Sequence, residues 1–191
     1  MREVALLLDE LLSGDEQRAE RAARQLSAWG EQALSALRDL LDGTTGDDRW
    51  WVVRALAEFS GEAAAALLVQ ALKERDPAIR HCAALGLQRN PSSNAVPKLV
   101  ELMQDGDSLM LRLAANALVA TGAPAVPDLL KLLEGEASPA QLEAARALAL
   151  IGDTRAIPAL FAACERDSAL LEYWAGEGLE RMGVGMVFFQ P

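Results

Sequence analysis

The chain has 191 residues and a formal net charge of −10, and it is 51% hydrophobic with only 5% aromatic residues. So acidic a chain lacks the basic surface that general nucleic-acid affinity requires, and no apolar run is long enough to span a bilayer. Its two cysteines, Cys82 and Cys164, make no disulfide framework.

The opening MREVALLLDELLSGDE has acidic flanks and no small-residue cleavage site, so it reads as a first helix and not as a signal peptide. From there two kinds of Ala- and Leu-rich segment alternate, a composition that favours helix. One kind reads ALSALRDLL, AAALLVQAL, AVPKLVELM, AVPDLLKLL and AIPALFAAC. The other reads AARQLSAWG, VVRALAEFSG, AALGLQRN, AANALVATG, AARALALIG and AGEGLERMG. The central leucines of the second kind are Leu26, Leu56, Leu87, Leu118, Leu148 and Leu179, at spacings of 30, 31, 31, 30 and 31. Nineteen residues before them stand Leu7, Leu37, Leu68, Leu99, Leu129 and Leu160, and fifteen before stand Leu11, Leu41, Leu72, Met103, Leu133 and Cys164. Self-similarity at this period marks a repeat architecture. Each unit is predicted to be two helices of roughly 12 to 15 residues joined by a short turn. Gly30, Gly61, Gly122, Gly152 and Gly183 punctuate the junctions. Pro97, Pro127 and Pro158 fall in first turns, where a missing N–H had no partner. Asp76-Pro77 and Ser138-Pro139 fit an N-cap followed by proline at the first helical position. One hairpin cannot bury its apolar face alone, so a single all-α solenoid of about six hairpins is expected over residues 1–183, with 184–191 as an apolar tail.

The AVPxLxxLL first helices and the DPAIRHCAALGL type of second helix resemble HEAT repeats, in particular the short HEAT-like repeats named after the phycobilisome bilin lyases. The resemblance implies a right-handed α-α superhelix whose second helices line a concave face. It implies no single activity: the family includes scaffolds, adaptors and bilin lyases, and a related arrangement serves DNA glycosylases that remove alkylated bases.

With the central leucine as position zero, positions −3, −4, −7 and +3 share its side of the helix at 100° per residue. Trp29 and Phe59 at +3 are thereby expected in the core. Positions −5 and −2 lie opposite and −6 on the flank. Position −6 holds Glu20, Trp50, His81, Arg112, Leu142 and Tyr173; position −5 holds Arg21, Trp51, Cys82, Leu113, Glu143 and Trp174; position −2 holds Arg24, Arg54, Leu85, Asn116, Arg146 and Glu177. With five Arg against three Glu, this lining is expected to be mildly basic within an acidic protein. Trp51 is placed in the groove and Trp50 at its wall, with Arg54 in reach of either ring face. Aromatic and arginine anchors are the residue types of binding hot spots. The competing role for the rings is to seal gaps between repeats and, for Tyr173 and Trp174, to cap the last one.

Metal chemistry is not expected: His81 and Cys82 project about 100° apart, a poor chelate, and no CxxC or HExxH spacing occurs. Cys82 would face the groove and be free to react, whereas Cys164 in a core column would be inert. His81 can be read as an acid or base, or as plain surface. The segment Met186–Phe189 is too short for a membrane anchor, and either folds back over the last repeat or enters a partner or second copy.

The expectation is a cytoplasmic, non-catalytic protein-protein interaction scaffold with no cofactor and no metal. Its partner-binding residues would be Trp50, Trp51, Arg54, His81, Arg112, Arg146, Tyr173 and Trp174, holding an acidic or aromatic-bearing segment of a protein partner. An alternative is a bilin-lyase-like protein, with Arg54, Arg112 or Arg146 meeting the propionates of a tetrapyrrole. A remote alternative is a HEAT-like DNA glycosylase using Glu143, although the basic track that would hold a duplex is missing.

Overall fold

A computed structural model describes residues 2–184. The tail reading therefore lies outside the described residues from 185 onward. The described chain forms twelve α-helices and short 3₁₀ turns, with no strand. Two compact units divide it, Met1–Ala95 and Val96–Pro191.

The first unit holds α1 (Arg2–Leu11), α2 (Glu16–Leu26), α3 (Gly30–Gly43), α4 (Gly46–Leu56), α5 (Glu62–Ala71) and α6 (Pro77–Arg89). They pair as α1/α2, α3/α4 and α5/α6, and α4 packs between α2 and α6. The second unit holds α7 (Val96–Leu102), α8 (Ser108–Thr121), α9 (Val126–Glu134), α10 (Pro139–Ile151), α11 (Ile157–Cys164) and α12 (Ala169–Arg181). Here the pairs are α7/α8, α9/α10 and α11/α12, and α10 packs between α8 and α12. In each unit the second helices thus form a layer of their own.

The leucine register accounts for this packing. All six central leucines are buried, as are five of the six residues in the column nineteen before; Leu7, in the first helix of the chain, is half-buried. Each buried leucine contributes about 2 kcal/mol of transfer free energy. Asp15, Asp76, Asp107, Ser138 and Ser168 each accept a backbone N–H at the start of a second helix. Such a cap satisfies donors the first turn leaves free. Pro97, Pro127 and Pro158 each occupy the second residue of a first helix, as expected.

Three expectations are corrected. The first helices are shorter than 12 to 15 residues in the second unit, with 7, 9 and 8 residues in α7, α9 and α11. There the chain enters through 3₁₀ turns, Ser93–Ala95, Ala123–Ala125 and Thr154–Ala156, because the proline that follows cannot donate into a longer α-helix. Trp29 is not core: it is 37% exposed. The α-helix stops at Leu26, and residues 27–29 tighten into a 3₁₀ turn that swings position +3 off the buried face. Position −7 is not uniformly apolar. Arg49 donates to the carbonyls of Leu41 and Thr44, Arg80 to those of Glu74 and Arg75, and Gln141 to those of Leu133 and Gly135. Each side chain satisfies carbonyls that the preceding first helix leaves without an intrahelical partner.

Candidate functional site

In the first unit the exposed side of the α2–α4–α6 layer carries the tandem tryptophans. Trp50 and Trp51 are both half-buried, and their rings meet edge to face at 4.9 Å and 83°. Neighbours on a helix diverge by 100°, yet indole rings are long enough to turn back and touch. Trp51 lines an open cleft of about 540 Å³ together with Glu16, Gln17, Glu20, Arg21 and Arg24 of α2. The edge-to-face contact fixes the Trp51 ring at that cleft with little left to order on binding.

The sequence puts Arg54 in reach of either indole face; its guanidinium goes to carboxylates. It donates to Glu58 at 2.6 Å and to Glu20 at 2.7 Å. Glu20 also holds Arg24 at 2.8 Å, and Glu58 also holds Arg89 at 3.0 Å. A ladder of alternating charge, Arg24–Glu20–Arg54–Glu58–Arg89, thereby crosses α2, α4 and α6. Burial pushes the Glu58 carboxyl up, but hydrogen bonds and charge from Arg54 and Arg89 outweigh it and hold the group below the ordinary glutamate value. The arginines of this lining are thus largely paired, although the ladder itself keeps three Arg to two Glu.

Cys82 does not face open solvent. It is 6% exposed, and burial pushes its thiol up to about 11 against the opposing pull of Arg54. With Arg54, Ala57, Leu85 and Arg89 it lines a cleft of about 380 Å³. A thiol so buried and so rarely ionised is not the reactive group the sequence allowed for. Its neighbour His81 is half-buried.

The second unit holds the remaining expected site residues. Arg146 is buried and donates to Glu143 and Asn116, each at 2.7 Å. Arg112 reaches the other oxygen of Glu143 at 3.0 Å. Glu143, itself buried, bridges α8 and α10. The three arginines that propionates would need thus already carry Glu20, Glu58 and Glu143 as partners. Tyr173 and Trp174 on α12 meet edge to face at 5.1 Å, with Tyr173 59% exposed and Trp174 half-buried. Among the described residues no three His, Cys, Asp or Glu side chains converge as a metal site, and no single helix is long and apolar enough to cross a membrane.

Comparison with known families agrees with this architecture. The HEAT repeats model matches residues 65–141, and the PBS lyase HEAT-like repeat model matches 48–74 and 140–165. Together they run without a gap from 48 to 165, more than half of the chain. The chain belongs to the HEAT-repeat family. Among solved structures, these HEAT hairpins are similar to the complex of CpcE and CpcF of phycocyanin lyase from Nostoc sp. PCC7120, at 20% identity and TM-score 0.61, covering 76% of this chain and 98% of that one. They are also similar to a designed armadillo repeat protein in complex with the peptide (KR)4, at 20% identity and TM-score 0.58, covering 94% and 99%. Human deoxyhypusine hydroxylase is a third, at 17% identity and TM-score 0.55, covering 95% and 74%. At these identities the likeness is one of fold. No curated protein sequence matches the chain.

Glu58, and the pairing of Glu20 with Arg54, are what the sequence reading missed. Their signal was present: Glu20 and Arg24, and Arg54 and Glu58, stand at i and i+4. Glu20 at position −6 and Arg54 at −2 of the next repeat become neighbours once successive second helices pack side by side.

Proposed function

We propose that this HEAT-repeat protein is a non-catalytic binding scaffold, and that its first unit takes a segment of a protein partner against Trp51. One observation carries the reading: an indole ring braced by Trp50 lines an open cleft, beside exposed arginines on α2. A braced aromatic is the residue expected at a hot spot, because it offers large area at small entropic cost. The segment it suits carries an aromatic side chain for the ring or a carboxylate for Arg21 and Arg24. A designed armadillo protein of similar fold holds a bound peptide, which supports peptide binding as the mode.

The test is a displayed-peptide selection on the wild-type chain, followed by affinity measurement on Trp51→Ala. Arg54 is no clean probe, since its removal strands Glu20 and Glu58. Selected peptides are expected to bind Trp51→Ala at least about tenfold more weakly, with the melting midpoint unchanged. Equal affinity for both proteins overturns the site.

A further inference from the structure

Among the described residues no helix packs on the outer face of α12, and the chemistry of that face is one-sided. Leu171, Ala175, Gly178 and Leu179 are buried against α10 and α11. On the opposite side Ala169, Tyr173, Gly176 and Glu180 recur at i, i+4, i+7 and i+11, one stripe on a helix. Glu172 and Glu177 border that stripe, one on each side. Nothing lies within 4 Å of where a Cβ on Gly176 would sit, so the stripe has a notch beside the exposed Tyr173 ring. The six residues line an open, shallow cleft of about 380 Å³. No ion pair engages Glu172, Glu177 or Glu180 among the described residues, unlike Glu20, Glu58 and Glu143. The single basic residue of α12 is Arg181, in its last turn.

We propose that this α12 face is a docking surface for a basic, lysine- or arginine-bearing peptide segment. An ammonium or guanidinium group entering the notch meets the face of Tyr173, where the ring quadrupole attracts cations. Around it stand three carboxylates that no ion pair engages among the described residues. A second copy of this chain is a poor occupant, because its net charge is −10 and the like-charged faces would repel. The proposal is independent of the Trp51 reading, which concerns the other unit.

The test titrates a fluorescein-labelled octapeptide of alternating lysine and arginine into the full chain at low salt. It compares wild type with Glu172→Gln/Glu177→Gln/Glu180→Gln and with Tyr173→Ala. A control variant, Glu3→Gln/Glu31→Gln/Glu62→Gln, removes the same charge from exposed positions outside both proposed sites. The α12 triple variant is expected to bind at least tenfold more weakly and Tyr173→Ala three- to tenfold more weakly. The control should stay within twofold of wild type. Equal loss in the α12 and control variants would mean diffuse attraction to an acidic protein, and would overturn the proposal. So would unchanged binding in the α12 variant. So too would a dimer, seen by sedimentation, that the α12 substitutions strengthen, since it would assign the face to a second copy.

Discussion

Glu20 of α2 and Arg54 of α4 meet at 2.7 Å although 34 residues separate them, and the contact ties one repeat to the next. Arg54 is about one-fifth exposed and Glu20 about one-third, so the pair is less screened than a surface ion pair. Arg54→Gln should lower stability by about 1–2 kcal/mol, because Glu20 and Glu58 both lose a charged donor. A double-mutant cycle with Glu20→Gln should give a coupling near 1 kcal/mol in urea denaturation. A coupling near zero would show that the ladder is decorative.

The same ladder sets a pH dependence. Folding lowers the Glu58 carboxyl below its ordinary value through Arg54 and Arg89. A carboxyl depressed on folding stabilises fully above its unfolded value and loses that contribution as pH falls toward its folded value. The urea midpoint should therefore drop as pH falls through and below the ordinary glutamate value, and the drop should be smaller in Glu58→Gln. Parallel curves for the two proteins would remove Glu58 from the acid response.

Glu143 and Arg146 form a buried pair, and removing one partner costs more than removing both. Arg146→Met should cost about 3 kcal/mol, since Glu143 keeps only Arg112. Adding Glu143→Leu should recover stability to within about 1 kcal/mol of wild type, because the desolvation cost of the carboxylate goes with it. A double variant no better than the single one would mean that α8 and α10 depend on this polar bridge for their packing.

The hairpins, the caps and the core columns were legible because each depends on spacing along one chain, with leucine at fixed intervals and Asp or Ser before a helix. The columns facing away from the core were legible as positions but not as chemistry. Five arginines in three columns read as free cations until Glu58, two residues past a central leucine, is brought beside Arg54 and Arg89. Cys82 and Glu143 were read as outward-facing, and both are buried because the adjacent second helices close over position −5. Trp29 failed for a local reason, since 100° periodicity ends where the α-helix gives way to a 3₁₀ turn.

Cys82 should react slowly with a disulfide reagent in the native state, and Cys164, half-buried on α11, should react first. Burial raises both thiols, Cys82 to about 11. Above pH 9 the unfolded Cys82 thiol ionises before the folded one, so that ionisation favours unfolding. The wild type should lose stability between pH 9 and 11 more steeply than Cys82→Ala, whose unfolded chain has one thiol fewer to ionise. Titration with a coloured disulfide reagent, with each single-cysteine variant, separates the two sites; faster modification of Cys82 would contradict its burial.

Gly176 and Gly178 stand two residues apart on α12 and should respond to alanine in opposite directions. A methyl on Gly176 meets open space, so Gly176→Ala gains helix propensity and should stabilise by about 0.5–1 kcal/mol. A methyl on Gly178 would lie 2.9 Å from the Ala149 Cβ, 3.0 Å from the Ala149 backbone and 3.0 Å from Leu160 Cδ1. Ala149 is on α10 and Leu160 on α11, so relief requires whole helices to shift and not one flexible side chain. The overpacking cost of about 1–3 kcal/mol should exceed the propensity gain. Thermal melts of the two variants should therefore bracket the wild type, Gly176→Ala above and Gly178→Ala below. If Gly178→Ala melted at or above the wild type, α12 would have to sit farther from α10 than the 3 Å contacts place it.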